Sequence, residues 1–148
     1  MIEEAKAAII ASSKESSVYI GCDSIVFTKN KRKFAKYTTV IVVHKDSKHG
    51  CKIFHFSETL PEYGSLRQRL ITEVSYATTA ALAITEVLGE RHLEIHLDIN
   101  PNPKHKSNVA VKEALGYVMG TLGLQAKIKP QSWAATHAAD HCVRGGLG

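Results

Sequence analysis

The sequence predicts an α/β fold in which helices flank a five-stranded mixed sheet. In the first half, three runs rich in β-branched and aromatic residues follow one another with short connections, which is typical of a three-strand antiparallel meander. In the second half, helical periodicity and strand-like alternation succeed each other, as in βαβ crossovers. A meander joined to crossovers indicates one sheet with both antiparallel and parallel strands.

A leading helix and the meander make up the first part of the chain. Residues 3–14 place small and apolar side chains on one face, which predicts a short amphipathic helix within residues 1–15. The strands of the meander are predicted over Ser17–Phe27, Phe34–His44 and Cys51–Phe56. The turns between them are predicted at the basic run Lys29–Lys33 and at Lys45–Gly50.

Helices and single strands alternate in the second part. Ser65 and Gly89 stand where an N-cap and a C-cap residue belong, so the apolar positions between them predict a helix to Leu88. The later elements are a strand over His92–Ile99, a helix capped by Ser107 over Asn108–Met119 and ended by Gly120 and Gly123, a strand over Leu124–Ile128, a helix from Pro130 and Ser132 through Val143, and a frayed tail over 145–148.

The composition predicts one folded domain over residues 1–148. Hydrophobic residues make up 44% and charged residues 22% of the chain, which argues against disorder. No signal peptide and no apolar run of about 20 residues is present, so we expect no membrane association. Three cysteines without a C-x-x-C pair favour a reducing compartment over a disulfide framework, and we expect a cytoplasmic protein.

The net charge of +5 favours a polyanionic partner. Basic residues cluster in two places, and both are candidates for phosphate contacts; the alternative is ordinary solvated lysines in loops. No basic motif interleaved with aromatic residues is apparent, which disfavours an unspecific single-strand binder. The candidates are Lys29, Lys31, Arg32, Lys33 and Lys36 in the first cluster and Lys104, His105 and Lys106 in the second.

Two acidic residues lie in predicted strands. Asp23 interrupts an apolar first strand, where a charge is costly unless it is paired, bound to a metal ion or turned into a cleft. Asp98 ends the fourth strand, and sheets crossed by helices place reacting groups at the carboxyl ends of strands. The alternatives are an Asp at a bulge or sheet edge for Asp23 and an Asp that caps a turn for Asp98.

Two more acidic residues lie on predicted helices. Glu73 sits on or beside the apolar stripe of the helix after the meander, and a solvated glutamate is the alternative. Asp140 lies on an alanine-rich last helix that is suited to close packing on a sheet. The alternative for Asp140 is an exposed ion pair with Arg144 at i+4.

The order of these acids is first strand, helix after the third strand, end of the fourth strand and last helix. Together with the segments Gly21–Ser24 (GCDS) and His96–Asn100 (HLDIN), this order resembles the ribonuclease H-like superfamily, and specifically the YkuK-type predicted nucleases related to ribonuclease H. The likeness extends over nearly the whole chain beyond the leading helix, including Lys129–Ala135 (KPQSWAA).

The resemblance implies a nuclease that hydrolyses phosphodiester bonds in RNA, an RNA–DNA hybrid or structured DNA with two Mg²⁺ or Mn²⁺ ions. By this likeness Asp23 bridges both ions, Glu73 and Asp98 hold the ion near the departing oxygen, and Asp140 holds the ion that activates water. Hard divalent ions prefer such oxygen ligands. The sequence identifies no protein partner.

Several assignments stay open at this point. Glu62 is an alternative to Glu73, and His137 is an alternative to Asp140. Ser24 and Asn100 are candidates for orienting a metal-bound water or a ribose hydroxyl. His137 and His141, at i and i+4 around Asp140, also allow a zinc site, with a plain core or surface histidine pair as the other interpretation.

Two other functions are compatible with the sequence. One is a nucleic-acid-binding module that keeps the fold without the activity. The other is a structural or interaction domain of an unrelated α+β fold, with the acids scattered over its surface. Stabilisation by Mg²⁺ or Mn²⁺ separates the nuclease from both, because neither alternative has a reason to gather carboxylates.

Overall fold

The computed structural model describes residues 2–44, 50–62, 64–99, 102, 110–129, 131–132 and 134. Its elements are, in chain order, α1 (Ile2–Ala11), β1 (Ser17–Lys29), β2 (Arg32–His44), β3 (Cys51–Pro61), α2 (Leu66–Leu88), β4 (His92–His96) and α3 (Val111–Leu122). None of the helices in this described part has the length and apolar character that crossing a bilayer demands.

The four strands form one mixed sheet in the order β3-β2-β1-β4. β1 pairs antiparallel with β2, β2 pairs antiparallel with β3, and β1 pairs parallel with β4. The predicted meander and crossover are thereby confirmed. β1 and β2 are longer than predicted, because only Asn30 and Lys31 form the turn between them, with φ of 52° and 64°. Positive φ at both central residues is what a tight two-residue hairpin turn requires.

The fifth predicted strand, Leu124–Ile128, is wrong for the described residues. His96 and Lys127 form only an isolated parallel bridge beside β4. The backbone N–H of Lys127 donates to the Ile95 carbonyl at 2.8 Å, and the N–H of Leu97 donates to the Lys127 carbonyl at 2.8 Å. The segment lies between the Gly123 cap of α3 and Pro130, which has no N–H to extend a ladder. β4 itself ends at His96, before the predicted end at Ile99.

α2 has the bounds that its sequence predicts. Its apolar side chains, including Val74, Ala77 and Ile84, are buried in one core with Ile20 and Ile95 of the sheet. α1 and α2 cover one face of the sheet, which we call the first face. α3 packs against α2. The main core therefore lies between the helices and the first face.

α3 begins and ends three residues later than predicted. Its N-cap is Ala110, and it continues through Gly120 to Leu122, where Gly123 closes it with φ of 72° and a bond from its N–H to the Met119 carbonyl. Glycine within a helix costs only about 1 kcal/mol, which burial of Ala114 and Val118 outweighs. Ser107, the predicted cap, and the predicted last helix lie outside the described residues.

The cysteines correct one expectation. Cys22 is a free thiol on the first face, and burial raises its pKa to about 12, so it behaves as a small apolar residue. Cys51, at the start of β3, is disulfide-bonded, whereas the odd number and spacing of the cysteines favoured reduced thiols.

The N-cap of α2 gives a first testable prediction. The Ser65 hydroxyl accepts the backbone N–H of Gln68 at 3.3 Å, so Ser65→Ala removes one of the few partners of the exposed N–H groups in the first turn. We expect a loss of about 1 kcal/mol in the free energy of unfolding, measured by urea denaturation.

Thr79→Ala is the matched control, because Thr79 is exposed in the same helix and alanine is the better helix former. A loss as large in Thr79→Ala as in Ser65→Ala would contradict the role of Ser65 as the cap.

Candidate functional site

The pairing of β1 with β4 brings Asp23 and Asp98 to equivalent positions. The parallel register runs from Ser17 opposite His92 to Gly21 opposite His96. Asp23 follows Gly21 by two residues, and Asp98 follows His96 by two residues. Leu97 and Ile99 are buried in the main core, so alternation places Asp98 on the opposite, second face of the sheet. Asp23 lies on that face as well, since its neighbours Cys22 and Ile20 point into the core.

Glu73 approaches the neighbour of Asp23 from α2, on the first face. It is 7% exposed, in the second turn of the helix, and its carboxylate accepts a hydrogen bond from the Ser24 hydroxyl of β1. Ser24 follows Asp23 directly and lies on the first face, beneath α2. Three elements thus place three carboxylates around the end of the β1–β4 pairing, with Asp23 and Asp98 on the second face and Glu73 on the first.

The charges of these three carboxylates affect one another. Burial raises the pKa of Glu73 to about 8, and the charges of Asp23 and Asp98 add to this shift against the opposing effects of Ser24 and Arg69. Burial also raises the pKa of Asp23, and Asp98 again contributes. The cluster is therefore unfavourable when fully ionised, and a cation stabilises it.

Two cationic side chains partly compensate the cluster. The Lys129 ammonium lies 2.8 Å from a carboxylate oxygen of Asp98, and the charges of both Lys129 and Arg69 lower the pKa of Asp23. Sequence reasoning missed both residues. Arg69 precedes Glu73 by four residues on one helix, a spacing that points to it. No local signal identifies Lys129, because its contact arises from the bridge between its segment and β4.

Glu62, the alternative to Glu73, lies elsewhere. Its carboxylate accepts the backbone N–H of Gly64 at 3.0 Å and pairs with Arg69 at 3.3 Å. Among the described residues it is thus Glu73, not Glu62, that contacts the β1 segment around Asp23.

His96 ties the segment after Lys129 to β4. Its Nδ1 accepts the backbone N–H of Ala134 at 3.1 Å, so Nε2 carries the proton and donates to Glu94 at 2.8 Å. The imidazole is 2% exposed and its ring lies 5.5 Å from that of Tyr19. This buried arrangement holds the backbone of Ala134 against His96. His96 lies two residues before Asp98 and on the same second face.

The donor chemistry of the cluster fits a hard divalent cation, since all three side chains offer carboxylate oxygens. They are not pre-assembled for one: in the described part of the chain, no three His, Cys, Asp or Glu residues stand close enough together to hold a metal ion. Ser24 engages an oxygen of Glu73 and Lys129 engages one of Asp98, so binding requires these contacts to rearrange.

The remaining predicted site residues fall into two groups. Those of the first basic cluster lie on the β1–β2 hairpin and are all exposed. The others lie outside the described residues: Asp140, His137, His141, Asn100, Lys104, His105 and Lys106.

Comparison with known proteins identifies the family. A family model described as ribonuclease H-like matches residues 1–144. The chain is also 28% identical, over 162 residues, to a protein of Bacillus subtilis (strain 168) named "Uncharacterized protein YkuK", with 97% of this chain and 89% of that protein covered. No solved structure matches the chain. The resemblance inferred from the order of the acids is confirmed, and a mixed sheet with helices packed on it fits the same fold. The chain belongs to the ribonuclease H-like family.

Proposed function

We propose that the protein is a divalent-metal-dependent nuclease that hydrolyses phosphodiester bonds in RNA, including RNA–DNA hybrids, or in DNA. The observation that carries the proposal is that Asp23, Glu73 and Asp98, from three different elements, lie around the end of the β1–β4 pairing and affect one another's charge, with raised pKa values for Asp23 and Glu73. A chain has little reason to hold mutually repelling carboxylates together unless they serve a site. Membership of the ribonuclease H-like family supports a nuclease-related role.

Each residue has a distinct task in this proposal. Asp23, Glu73 and Asp98 hold two Mg²⁺ or Mn²⁺ ions, with Asp140 as the proposed fourth ligand and His137 as its alternative. When bound, such ions supply the charge that activates water and stabilises the departing oxygen. Ser24 orients the Glu73 carboxylate through its hydroxyl. In the absence of metal ions, Lys129 neutralises the Asp98 carboxylate, and this limits its repulsion from Asp23.

A second candidate is a non-catalytic nucleic-acid-binding module of the same fold. The specific observation in its favour is that the described acids are not pre-assembled around a metal position. In that case the basic residues of the hairpin would bind phosphates, and the carboxylates would stay paired with Ser24 and Lys129.

A cleavage assay separates the two candidates. Labelled RNA–DNA hybrid, single-stranded RNA, double-stranded RNA and DNA are incubated with the protein in Mg²⁺, in Mn²⁺ and in EDTA. A nuclease cuts at least one substrate with a divalent ion and none in EDTA. Binding of these substrates without cleavage under any ionic condition would reject the nuclease and favour the module.

Metal binding should also stabilise the fold, which gives a readout independent of activity. At an ion concentration about 100 times the dissociation constant, binding adds about 2.7 kcal/mol, or an increase in Tm of about 5 to 10 °C for a chain of this size. Differential scanning fluorimetry with Mg²⁺ and Mn²⁺ measures it, against NaCl of equal ionic strength. An equal shift in NaCl would mean general screening rather than a site.

A further inference from the structure

The second face of the sheet continues from Asp23 to the tip of the β1–β2 hairpin. The antiparallel register pairs the residues of this face directly across the two strands. Because side chains alternate along a strand, the paired side chains stand next to each other in successive rows. Going outward, the rows are Asp23–Thr38, Ile25–Lys36, Phe27–Phe34 and Lys29–Arg32.

This face changes from covered to open along its length. At the end near the start of β1, Val42 is fully buried and Val40 is 7% exposed. Beyond Asp23 the side chains emerge, with Ile25 at 66% and Phe27 at 37% exposure. We call residues 25–36 the hairpin end. Apolar side chains exposed at this level on a strand pair mark a contact surface.

The two aromatic rings of the hairpin end lie flat against each other. The centroids of Phe27 and Phe34 are 5.7 Å apart and their planes differ by 24°, a stacked arrangement. Phe34 also lines two surface clefts, of about 500 and 540 Å³. The residues that share the first cleft with it are Arg32, Lys33, Pro61 and Glu62, and those that share the second are Lys29, Asn30 and Arg32.

The charge of the hairpin end is of one sign. Its twelve residues include five basic and no acidic residues: Lys29, Lys31, Arg32, Lys33 and Lys36. Lys36 lies on the second face between the Asp23 row and the aromatic row, and Arg32 and Lys29 lie on it beyond the rings. All five are exposed. An exposed aromatic stack with one cation on one side and two on the other is complementary to a ligand with phosphates and flat apolar groups.

We propose that the hairpin end is a stacking platform for unpaired nucleotides, on which a base packs against Phe27 and Phe34 while Lys36, Arg32 and Lys29 contact the flanking phosphates. This inference rests on the proposed function, and it names the form of nucleic acid that the site receives. Bases inside a duplex are already stacked on both sides, so only an unpaired or splayed base can use these rings. A duplex would contact only the basic side chains, through its phosphates.

The platform is within reach of the acidic cluster. Phe27 lies four residues beyond Asp23 on one strand, which corresponds to about 13 Å. That distance is about four nucleotides at the stacked rise of about 3.4 Å, and fewer when the strand is extended. A single strand held on the platform can therefore continue along the second face to Asp23 and Asp98.

The aromatic pair is not visible in the linear sequence, because six residues lie between Phe27 and Phe34 and only the hairpin turn brings them together. This is why no aromatic-interleaved basic motif is apparent in the chain. The interleaving is across the two strands instead of along one.

The test measures binding in EDTA, so that cleavage does not contribute. Fluorescence anisotropy gives the Kd of short labelled single-stranded RNA and DNA and of a blunt duplex of the same sequence. We expect Phe27→Leu and Phe34→Leu to weaken single-strand binding about tenfold each and to leave duplex binding unchanged, because leucine keeps the apolar volume without the flat ring. Phe34→Tyr should retain binding.

Two control variants complete the test. Tyr117→Leu removes an aromatic ring that is 42% exposed on α3 and should change nothing. Arg32→Gln should weaken single strands and duplexes alike and reduce the slope of log Kd against log salt by about one, whereas the Phe variants should leave that slope unchanged. Circular dichroism melts confirm that each variant is folded.

Several outcomes overturn the platform. One is that the wild-type protein binds single strands no more tightly than the duplex. Another is that the Phe variants weaken binding of single strands and of the duplex equally. A third is that Phe34→Tyr loses single-strand binding as Phe34→Leu does. Self-association that Phe27→Leu abolishes, with unchanged nucleic-acid binding, would make the hairpin end a protein interface instead. Absence of cleavage with the Phe effects intact would reject only the nuclease. Cleavage that the Phe variants leave unaffected, with unaffected binding, would reject only the platform.

Discussion

Asp23→Asn is expected to reduce the rate of phosphodiester cleavage by about a thousandfold while leaving nucleic-acid binding in EDTA within about twofold of the wild type. Asparagine keeps the shape of the side chain and still accepts the Ser24 backbone N–H that Asp23 accepts at 2.8 Å. It removes the negative charge that holds divalent ions. Single-turnover cleavage at saturating Mg²⁺ or Mn²⁺ measures the chemical step directly.

Asp98→Asn should give a loss of the same order, since both carboxylates are proposed to hold the same pair of ions. Glu90→Gln is the matched control, because Glu90 is exposed in the turn after α2 and lies outside the cluster. Both cluster variants should also lose the metal-dependent increase in Tm. Cleavage by Asp23→Asn at the wild-type rate would exclude Asp23 from the reaction and leave the family membership intact.

The second large effect concerns stability without metal. The pKa of Glu73 is about 8 in the folded protein and near 4.5 in the unfolded chain. Between these values the unfolded chain has lost the proton and the folded protein keeps it, so unfolding releases a proton and becomes easier as pH rises. We expect the free energy of unfolding to fall by about 3 kcal/mol from pH 5 to pH 8 through Glu73.

Glu73→Gln should remove this pH dependence. The amide does not ionise, so the variant should be more stable than the wild type at about pH 8 and similar to it at about pH 5 in urea denaturation with EDTA. Glu62→Gln is a matched control in the same region, whose carboxylate pairs with Arg69. If the wild type and Glu73→Gln show parallel pH profiles, Glu73 is not buried beside the other acids.

The sequence predicted the elements whose signal is local. The bounds of α2 follow from a helical apolar stripe between Ser65 and Gly89, and the structure begins and ends the helix there. The meander follows from runs rich in β-branched and aromatic residues, and the fourth strand follows from alternation. β1 is longer than predicted, because the run of cations around Lys31 predicts a wider turn than the hairpin has. Cross-strand pairing of Phe27 with Phe34 carries both strands to a two-residue turn.

The predictions that failed depend on contacts between distant parts of the chain. Leu124–Ile128 has strand-like composition, but its pairing with β4 is limited to the bridge at Lys127. α3 persists through Gly120 because packing on α2 outweighs the weak helix propensity of glycine.

The candidate site divides in the same way. The order of Asp23, Glu73 and Asp98 along the elements is readable from the sequence, because their joint placement on predicted strands and a helix resembles the ribonuclease H-like pattern. Their partners were not. The Ser24–Glu73 bond joins residues 49 positions apart, and the Asp98–Lys129 pair depends on the bridge at the sheet edge. Only tertiary structure selects such partners.

The continuity of β1 bears on the products that the proposed cleavage would give. Every residue from Ser17 to Lys29 is paired with β2, so no hinge lies between Asp23 and Phe27. A nucleotide anchored on the rings and the bond to be cut would then be separated by an invariant interval. If both proposals hold, the strand would act as a molecular ruler, and fragments would end at a constant number of nucleotides from the anchored base.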